Sequence, residues 1–192
     1  MPEPQPARST ATWSRIARRI RVPLGFAFAA FYLWRAKPSW PSLAIGTAIA
    51  LLGIFVRAMA SGHVEKNRVL TATGPYAYVR NPLYLGSIII GVGFGLAARD
   101  VWIFVAILLL FVAIYLPVIR GEERFLQEKF PEFEDYSRRV PRMLPRLTAA
   151  GSDNAAGGFS IELYMKHREW NALLGSVLLI GALIIKMVLV SR

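Results

Sequence analysis

Two polar segments of this chain contain residue types that could bind a charged small molecule. The first, residues 74–86, reads GPYAYVRNPLYLG, so that Arg80 and Asn81 stand directly before a proline. The second begins with Glu122 and Glu123 and continues through an aromatic stretch to residues 140–145, which read VPRMLP. A guanidinium can hold a carboxylate or phosphate, and a carboxylate can hold an amine or ribose hydroxyls. Apolar stretches adjoin both segments, so the sequence predicts a polar site at a membrane surface.

The composition indicates an integral membrane protein. The 192 residues are 55% hydrophobic, with a mean hydropathy of +0.42 and a net charge of +11. The basic residues flank apolar runs, which favours an anionic membrane surface as partner and argues against nucleic acid. The lack of cysteine excludes disulfides, thiolate metal sites and a cysteine nucleophile. His63 and His167 are far apart in sequence, so we expect no metal.

Five apolar runs predict the membrane spans. They cover residues 22–34, 40–60, 83–98, 101–119 and 171–190. The second, fourth and fifth reach the ~20 residues that a membrane-crossing helix needs. The first and third are short and would cross by bilayer thinning or with snorkelling flanks, and the first could instead be half of a helical hairpin. The predicted fold is an all-α integral membrane bundle of about five transmembrane helices with a cytoplasmic cofactor site.

The distribution of positive charge predicts the orientation. With the N-terminus in the cytoplasm, most of the 23 lysines and arginines fall on the cytoplasmic side, as do both polar segments. The C-terminus is then outside, and Lys186 lies within the last span. The predicted organisation is a tail and basic amphipathic segment (1–21), a membrane body (22–147), a linker (148–158), and an amphipathic segment with the last span (159–192). We expect that span to pack beside the third.

The first polar segment has the features of a helix start that binds an anion. Asn81 is a favourable N-cap and Pro82 suits the first helical position. Arg80 would then lie at the positive end of the third span, where a carboxylate or phosphate is stabilised. Rings for stacking would come from Tyr76, Tyr78 and Tyr84. The alternative interpretation is an interfacial aromatic belt with a snorkelling arginine.

The second polar segment offers two carboxylates, of which at most one can face the bundle. Glu122 and Glu123 are adjacent, so on a helix they point about 100° apart. One could bind an amine or ribose. The alternative is a solvated helix face on which Arg120 and Arg124 are the ion-pair partners. Downstream prolines predict a stiff, extended strap, with Arg142 and Arg146 facing headgroups or substrate.

The third span contains Gly91 and Gly95, the spacing of a close helix contact. The surrounding GVGFG is not a dinucleotide fingerprint, since it lies inside an apolar helix with no preceding strand. Helix packing is therefore the first interpretation, and room for a ligand or lipid tail is the second.

Together these segments resemble the isoprenylcysteine carboxyl methyltransferase and phospholipid methyltransferase family of membrane enzymes. The resemblance rests on residues 74–86, the glutamate pair with Leu126, and residues 140–145, in that order, and covers about residues 40–147. It implies S-adenosylmethionine as methyl donor and a lipid-like or prenylated acceptor, which is either a carboxylate of the isoprenylcysteine type or a lipid headgroup. The protein would mainly position the reactants and exclude water.

The resemblance also implies which residues form the site. Arg80 would hold the acceptor, and Glu123 is the second catalytic candidate. Rings such as Tyr84 or Tyr136 would favour the sulfonium through cation–π attraction. The expected cofactor-binding residues are Tyr78, Arg80, Asn81, Pro82, Tyr84, Leu85, Gly86, Glu122, Glu123 and Tyr136.

One departure from the family pattern affects the acceptor. Many members have histidine where this chain has Asn81, which cannot titrate near neutrality. A carboxylate acceptor needs no base, whereas an amine must lose a proton and only Glu122 or Glu123 would remain to take it. Two other functions stay open: an NADPH-dependent membrane reductase of the sterol-reductase type, and a non-catalytic membrane scaffold.

Overall fold

The computed structural model describes residues 25–65, 68–150 and 158–190, and all regular elements in these ranges are helical. The predicted all-α class is therefore confirmed for the described part of the chain. The predicted N-terminal tail and basic segment, and most of the predicted linker, lie outside the described residues.

Eight α-helices, a 3₁₀ turn and a π-helical stretch make up the described part. The α-helices are α1 (25–35), α2 (Trp40–His63), α3 (Pro82–Ala98), α4 (Val101–Leu110), α5 (Leu116–Lys129), α6 (Phe133–Arg139), α7 (Ile161–Lys166) and α8 (Trp170–Val190). The 3₁₀ turn is Gly74–Ala77 and the π stretch is Phe111–Tyr115. The π stretch joins α4 to α5 directly before Pro117, which lacks the N–H that a regular helix would need there.

Three helices are long and apolar enough to cross a membrane. They are Trp40–His63, Val101–Lys129, which combines α4, the π stretch and α5, and Trp170–Leu189. Helix α3 is apolar but shorter, at 17 residues, as the sequence predicts. Helix α1 enters the description at residue 25, so the total of about five spans stays a prediction. Large apolar side chains on these helices are exposed, as lipid-facing residues are, including Trp102 and Leu178.

Glycines bring α2 and α3 into close contact. Gly46 on α2 faces Gly93 on α3, and Gly53 on α2 faces Gly86 on α3. On each helix the two glycines are seven residues apart. A Cβ at Gly46 would lie 2.4 Å from the Gly93 carbonyl oxygen, and one at Gly53 would lie 2.7 Å from that of Gly86. At these positions the two backbones touch, and there is no room for a methyl group.

The predicted helix contact at Gly91 and Gly95 is confirmed, but its partner is α4. A Cβ at Gly95 would lie 2.6 Å from the Phe104 ring, and one at Gly91 would lie 3.0 Å from Ile107. The α2–α3 contact uses the other two glycines of the same helix, because they lie on a different face.

One buried cluster joins five helices, which are α1, α2, α3, α4 and α8. Tyr32, Leu43, Phe94, Ile103 and Leu183 come from α1, α2, α3, α4 and α8 in turn. The Tyr32 hydroxyl donates to the Phe94 carbonyl at 2.9 Å, so the phenol is satisfied inside the apolar core.

Helix α8 packs mainly against α2 and α1, so the prediction that it lies chiefly beside α3 is wrong. Polar contacts at both of its ends explain this placement. Before its first turn, Glu169 pairs with Arg57 on α2 at 2.7 Å. Near its other end, the Lys186 ammonium donates to the carbonyls of three residues at the end of α1, namely Leu33, Trp34 and Ala36. The lysine within the last span thus caps a neighbouring helix, whose final carbonyls lack partners.

Asp100 organises the turn between α3 and α4, at the same end of the bundle. Arg99 takes the left-handed conformation (φ 52°) that ends α3 tightly. Asp100 then N-caps α4, accepting from the Trp102 N–H at 2.9 Å, and it pairs with Arg35 at 2.6 Å. Desolvation by burial raises the pKa of Asp100. The hydrogen bond and charge of Arg35, together with the backbone N–H donors, lower it by more. The net result is a pKa below the usual value of 3.8.

Substituting Gly93 by alanine will destabilise the bundle. The new Cβ would lie 2.6 Å from both the Ala50 nitrogen and the Gly46 oxygen, and two packed backbones cannot move apart cheaply. We expect a loss of about 3 kcal/mol, measured as thermal unfolding in detergent. The matched control is Gly175→Ala on α8, where nothing lies within 4 Å. It should be neutral or stabilising by up to about 1 kcal/mol, and equal losses for both variants would contradict the close contact.

Acid should lower the stability of the bundle by protonating Asp100, in the turn between α3 and α4. Because its folded pKa lies below the unfolded value of 3.8, its contribution to stability is complete above that pH and is lost as the pH falls through the lower folded value. Unfolding midpoints measured between neutral pH and acid should therefore fall more steeply below pH 3.8 in the native protein than in Asp100→Asn. Parallel curves for the two proteins would show that Asp100 contributes nothing.

Candidate functional site

The carboxylate of Glu123 is the meeting point of the predicted motif segments. Glu123 is 8% exposed and lies on α5, in the C-terminal part of the candidate span Val101–Lys129. Its Oε1 accepts from the Asn81 amide at 3.0 Å and lies 3.6 Å from Arg80. Its Oε2 accepts from the Arg142 guanidinium, whose Nε and terminal nitrogen lie 2.9 and 2.7 Å away. One buried anion thus holds side chains from residues 74–86 and 140–145 together.

Backbone hydrogen bonds attach the strap, residues 140–150, to the first polar segment. The Arg80 N–H donates to the Pro141 carbonyl at 2.9 Å, and the Arg146 N–H donates to the Tyr78 carbonyl at 3.0 Å. The Ala150 N–H donates to Ala77 at 2.8 Å. The predicted strap is therefore present and lies alongside the residues that lead into α3, but it bends at residues 142–144 and 147–148 and is not extended throughout.

Aromatic residues of α6 support this pairing from the other side. Phe130, Phe133, Tyr136 and Val140 form a buried cluster. The Tyr136 hydroxyl donates to the Tyr76 carbonyl at 2.8 Å. Burial raises the pKa of Tyr136, with Arg80 lowering it and Glu123 raising it again, so the phenol stays neutral and acts as a donor.

Gly74 begins the first polar segment in a conformation that only glycine adopts without strain. Its φ is +55°, and a Cβ there would lie 2.5 Å from the His63 ring at the end of α2. The following Tyr76 is buried, and this burial raises its pKa, together with the nearby phenol of Tyr136 and the charge of Glu122. The segment is thus packed tightly before α3 begins.

The predicted N-cap position of Asn81 and the helix start at Pro82 are confirmed, but the Asn81 side chain does not cap the helix. Asn81 occupies the N-cap position, and its carbonyl accepts from the Leu85 N–H, but its amide makes no capping bond. The amide donates instead to Glu123 and, at 3.2 Å, to the Arg142 carbonyl. A buried carboxylate with an open acceptor position needs a donor more than a helix end at the surface does. The anion beside Arg80 in this structure is the chain's own Glu123.

A cavity of about 270 Å³ opens beside Glu123. It is lined by Arg80, Arg120, Glu123, Arg124, Gln127, Phe133, Ser137 and Arg142. Four guanidinium groups and one carboxylate give it a positive potential, which suits a ligand with an anionic group. In the described part of the chain, the buried Nε of Arg80 has no hydrogen-bond partner.

Helix α5 supplies four of the lining residues from one face. Arg120, Glu123, Arg124 and Gln127 are spaced i, i+3, i+4 and i+7, the spacing of a single helical stripe. We predicted Arg120 and Arg124 only as alternative ion-pair partners of the glutamates, and we did not predict Gln127, Phe133 or Ser137. Among the described residues, Arg120 and Arg124 form no ion pair. The polar stripe was the signal in the sequence that would have identified them.

The two adjacent glutamates have different environments, as their helical phase predicts. Glu123 is buried, whereas Glu122 is exposed and does not line the cavity. The role of Glu122 in cofactor binding stays a prediction.

Other predicted cofactor residues lie around this centre in different settings. Pro82 is fully buried at the start of α3. Tyr84 packs edge-on against Tyr115, with ring centroids 5.7 Å apart. Gly86 lies against the Arg57 side chain on α2, so helix packing accounts for the glycine at this position. Leu85, on the first turn of α3, is partly buried, and Tyr78 is exposed beside the strap. None of these five lines the cavity, and their roles toward a cofactor stay predictions.

A second polar cluster, which we did not predict, lies on the α2 side of the first turns of α3. The Arg57 guanidinium makes a two-pronged bond to Glu169, at 2.9 and 3.0 Å. It also donates to the Leu83 carbonyl at 3.1 Å and to the Ser87 hydroxyl. The only signal in the sequence was an arginine inside an apolar run, a position that calls for a partner.

The structure thus combines helices long and apolar enough to cross a membrane with an arginine-rich cavity at one end of the bundle. Residues 42–132 match the family model described as phospholipid methyltransferase, so this region of the chain is similar to that family. The match agrees with the resemblance predicted from the motifs. It includes Arg80, Asn81 and Glu123 and ends before the strap.

Two curated relatives are similar over the same part of the chain. The cobalt-zinc-cadmium resistance protein CzcN of Cupriavidus metallidurans is 36% identical over 105 residues, which is 54% of this chain and 48% of the relative. The nickel-cobalt-cadmium resistance protein NccN of Alcaligenes xylosoxydans xylosoxydans is 35% identical over 111 residues, 57% of this chain and 51% of the relative. The chain thus spans about half the length of these relatives. No solved structure matches it significantly.

Replacing Glu123 by leucine will destabilise the protein more than replacing Glu122. The first change leaves Arg80 and Arg142 facing each other without their shared anion. We expect a loss of about 2 kcal/mol, less than for a fully buried pair because Arg142 is 44% exposed. Glu122→Leu is the matched control and should change stability by less than about 0.5 kcal/mol. Chemical unfolding of both variants in detergent measures this, and equal effects would argue against the buried carboxylate as the centre of the site.

Proposed function

We propose that this protein transfers a methyl group from S-adenosylmethionine to an acceptor carried by a lipid or prenyl chain, at the cytoplasmic face of the membrane. The observation that supports this most is the buried Glu123, which binds residues of both motif segments and borders a basic cavity. The match of residues 42–132 to the phospholipid methyltransferase family model supports the reaction class.

The chemistry of the lining residues fits this cofactor. S-adenosylmethionine has a carboxylate, an amine, ribose hydroxyls and a sulfonium. Arg120 and Arg124 can hold a carboxylate, and Gln127 can bond polar groups beside it. The ring of Phe133 can stabilise a cation by about 0.5–2 kcal/mol. The cavity of about 270 Å³ is close to the lower end, roughly 300 Å³, of small-molecule sites.

In this proposal the residues around Glu123 provide positioning. When bound, the cofactor supplies an electrophilic methyl group. Arg80, Asn81 and Arg142 fix the Glu123 carboxylate, so the polar wall of the cavity is rigid before a ligand arrives. The unpartnered Nε of Arg80 is a donor that a ligand oxygen could satisfy. Such preorganisation, together with exclusion of water, is the main contribution that a protein makes to an in-line displacement.

The same contacts favour an acceptor that is already ionised. An amine acceptor must give up a proton, and Asn81 cannot take it. Both oxygens of Glu123 already accept hydrogen bonds, from Asn81 and Arg142, so this carboxylate is poorly placed to serve as a base. We therefore propose a carboxylate or similar oxyanion as the nucleophile, with an arginine of the cavity orienting it.

Calorimetric titration with S-adenosylhomocysteine, with NADPH in parallel, tests this function. We expect the detergent-purified protein to bind the former in the micromolar range and not the latter. Arg124→Ala should weaken binding about tenfold, the loss of one charged hydrogen bond. The matched control is Arg138→Ala, an exposed arginine that pairs with Glu134 outside the cavity, and it should bind normally.

Three outcomes would contradict the proposal or its site. Binding of NADPH alone would assign the protein to the reductases, whose cofactor phosphates would also suit a basic cavity. Binding of neither compound by folded protein would support the scaffold alternative. If both arginine variants bound S-adenosylhomocysteine normally, the cavity would not be the cofactor site.

A further inference from the structure

The outer side of the strap exposes apolar side chains in a strongly basic setting. Leu147 is 100% exposed and Leu144 is 80% exposed. Tyr78, whose carbonyl accepts from the strap at Arg146, is 40% exposed. The basic side chains of this region are Arg138, which pairs with Glu134, Arg142, which pairs with Glu123, Arg139 and Arg146. Exposed leucines with arginines near them in the chain are typical of a surface that lies in a membrane interface.

The hydrogen bonds of the strap place it at the level where α3 enters the bilayer. Its partners are residues 77, 78 and 80, and α3 begins at Pro82. Since one extended residue spans at most about 3.6 Å, the pairing at Arg80 lies within about 7 Å of the start of an apolar helix. A water-facing segment would have no need of two exposed leucines there.

The two sides of the strap have different neighbours. Val140 is buried against the aromatic residues of α6, and Arg142 points inward to Glu123. Leu144 and Leu147 are 80% and 100% exposed, so packing within the described part of the chain does not explain them. The strap therefore joins an inner contact at the cavity to an uncovered outer surface.

We propose that the strap is a second membrane anchor, seated on the anionic surface of the bilayer that holds the helices. Leu144 and Leu147 enter the interfacial region, and Arg139 and Arg146 contact lipid phosphates. Each basic residue near such a surface contributes attraction to anionic lipid. Because Arg142 of the strap contacts Glu123, this seating holds the cavity beside lipid. The anchor stands independently of the proposed methyl transfer.

A nitroxide attached at Leu147→Cys tests the anchor. The chain has no cysteine, so the label is unique, and the side chain it replaces is fully exposed. The protein is placed in nanodiscs of phosphatidylcholine, with and without phosphatidylglycerol. Collision rates with oxygen, which concentrates in lipid, are compared with those of a water-soluble nickel chelate. The matched control is Glu132→Cys, an exposed position in the turn before α6.

We expect the label at position 147 to collide mainly with oxygen in the anionic nanodiscs and to shift toward the nickel chelate without phosphatidylglycerol. The label at position 132 should collide mainly with the nickel chelate in both kinds of nanodisc. Arg139→Gln in the Leu147→Cys background should weaken the anionic-lipid dependence about fivefold, the equivalent of one surface charge. Nickel accessibility at 147 equal to that at 132, or no dependence on phosphatidylglycerol, would overturn the anchor, whatever the titrations with S-adenosylhomocysteine show.

Discussion

The burial of one carboxylate governs the arrangement of this protein's polar end. An unpaired charge removed from water costs several kcal/mol, so Glu123 can be buried only where donors surround it. Those donors come from Asn81 and Arg80, which precede α3, and from Arg142, which lies in the strap. The strap must therefore return to the start of α3, and its backbone hydrogen bonds and the Tyr136 hydroxyl hold it there.

The donors can reach Glu123 because the helices beneath them are fixed by contacts of their own. Glycines allow α2 and α3 to touch, and Gly86 leaves space for Arg57 to bond the first turns of α3. Gly86 belongs to the polar motif by sequence, yet its neighbours are on α2. A motif can therefore combine residues that bind a ligand with residues that only set the position of its helix.

The sequence predicted what depends on hydropathy and local spacing, and failed where distant contacts decide. The long spans and the non-helical strap follow from local composition. Helical phase showed that one of the adjacent glutamates must face away, but which one depends on the path of the long helix through its π stretch and on donors from elsewhere. Asn81 occupies its expected N-cap position, but its side chain bonds a carboxylate 42 residues away. The neighbours of α8 were likewise set by ion contacts that no local pattern reveals.

The C-terminal unit, although outside the family match, is tied to both ends of the bundle by charges. At the polar end, Glu169 neutralises Arg57. At the other end, Lys186 caps α1, near the ion pair of Arg35 with Asp100. Lipid offers little hydrophobic drive for helices to associate, so polar contacts of this kind carry specificity there. Because the Arg57 guanidinium also bonds Leu83 and Ser87, the unit acts on the same turns of α3 that present Arg80 and Asn81 to the cavity. The position of the candidate site thus depends on a helix that contributes no residue to its lining.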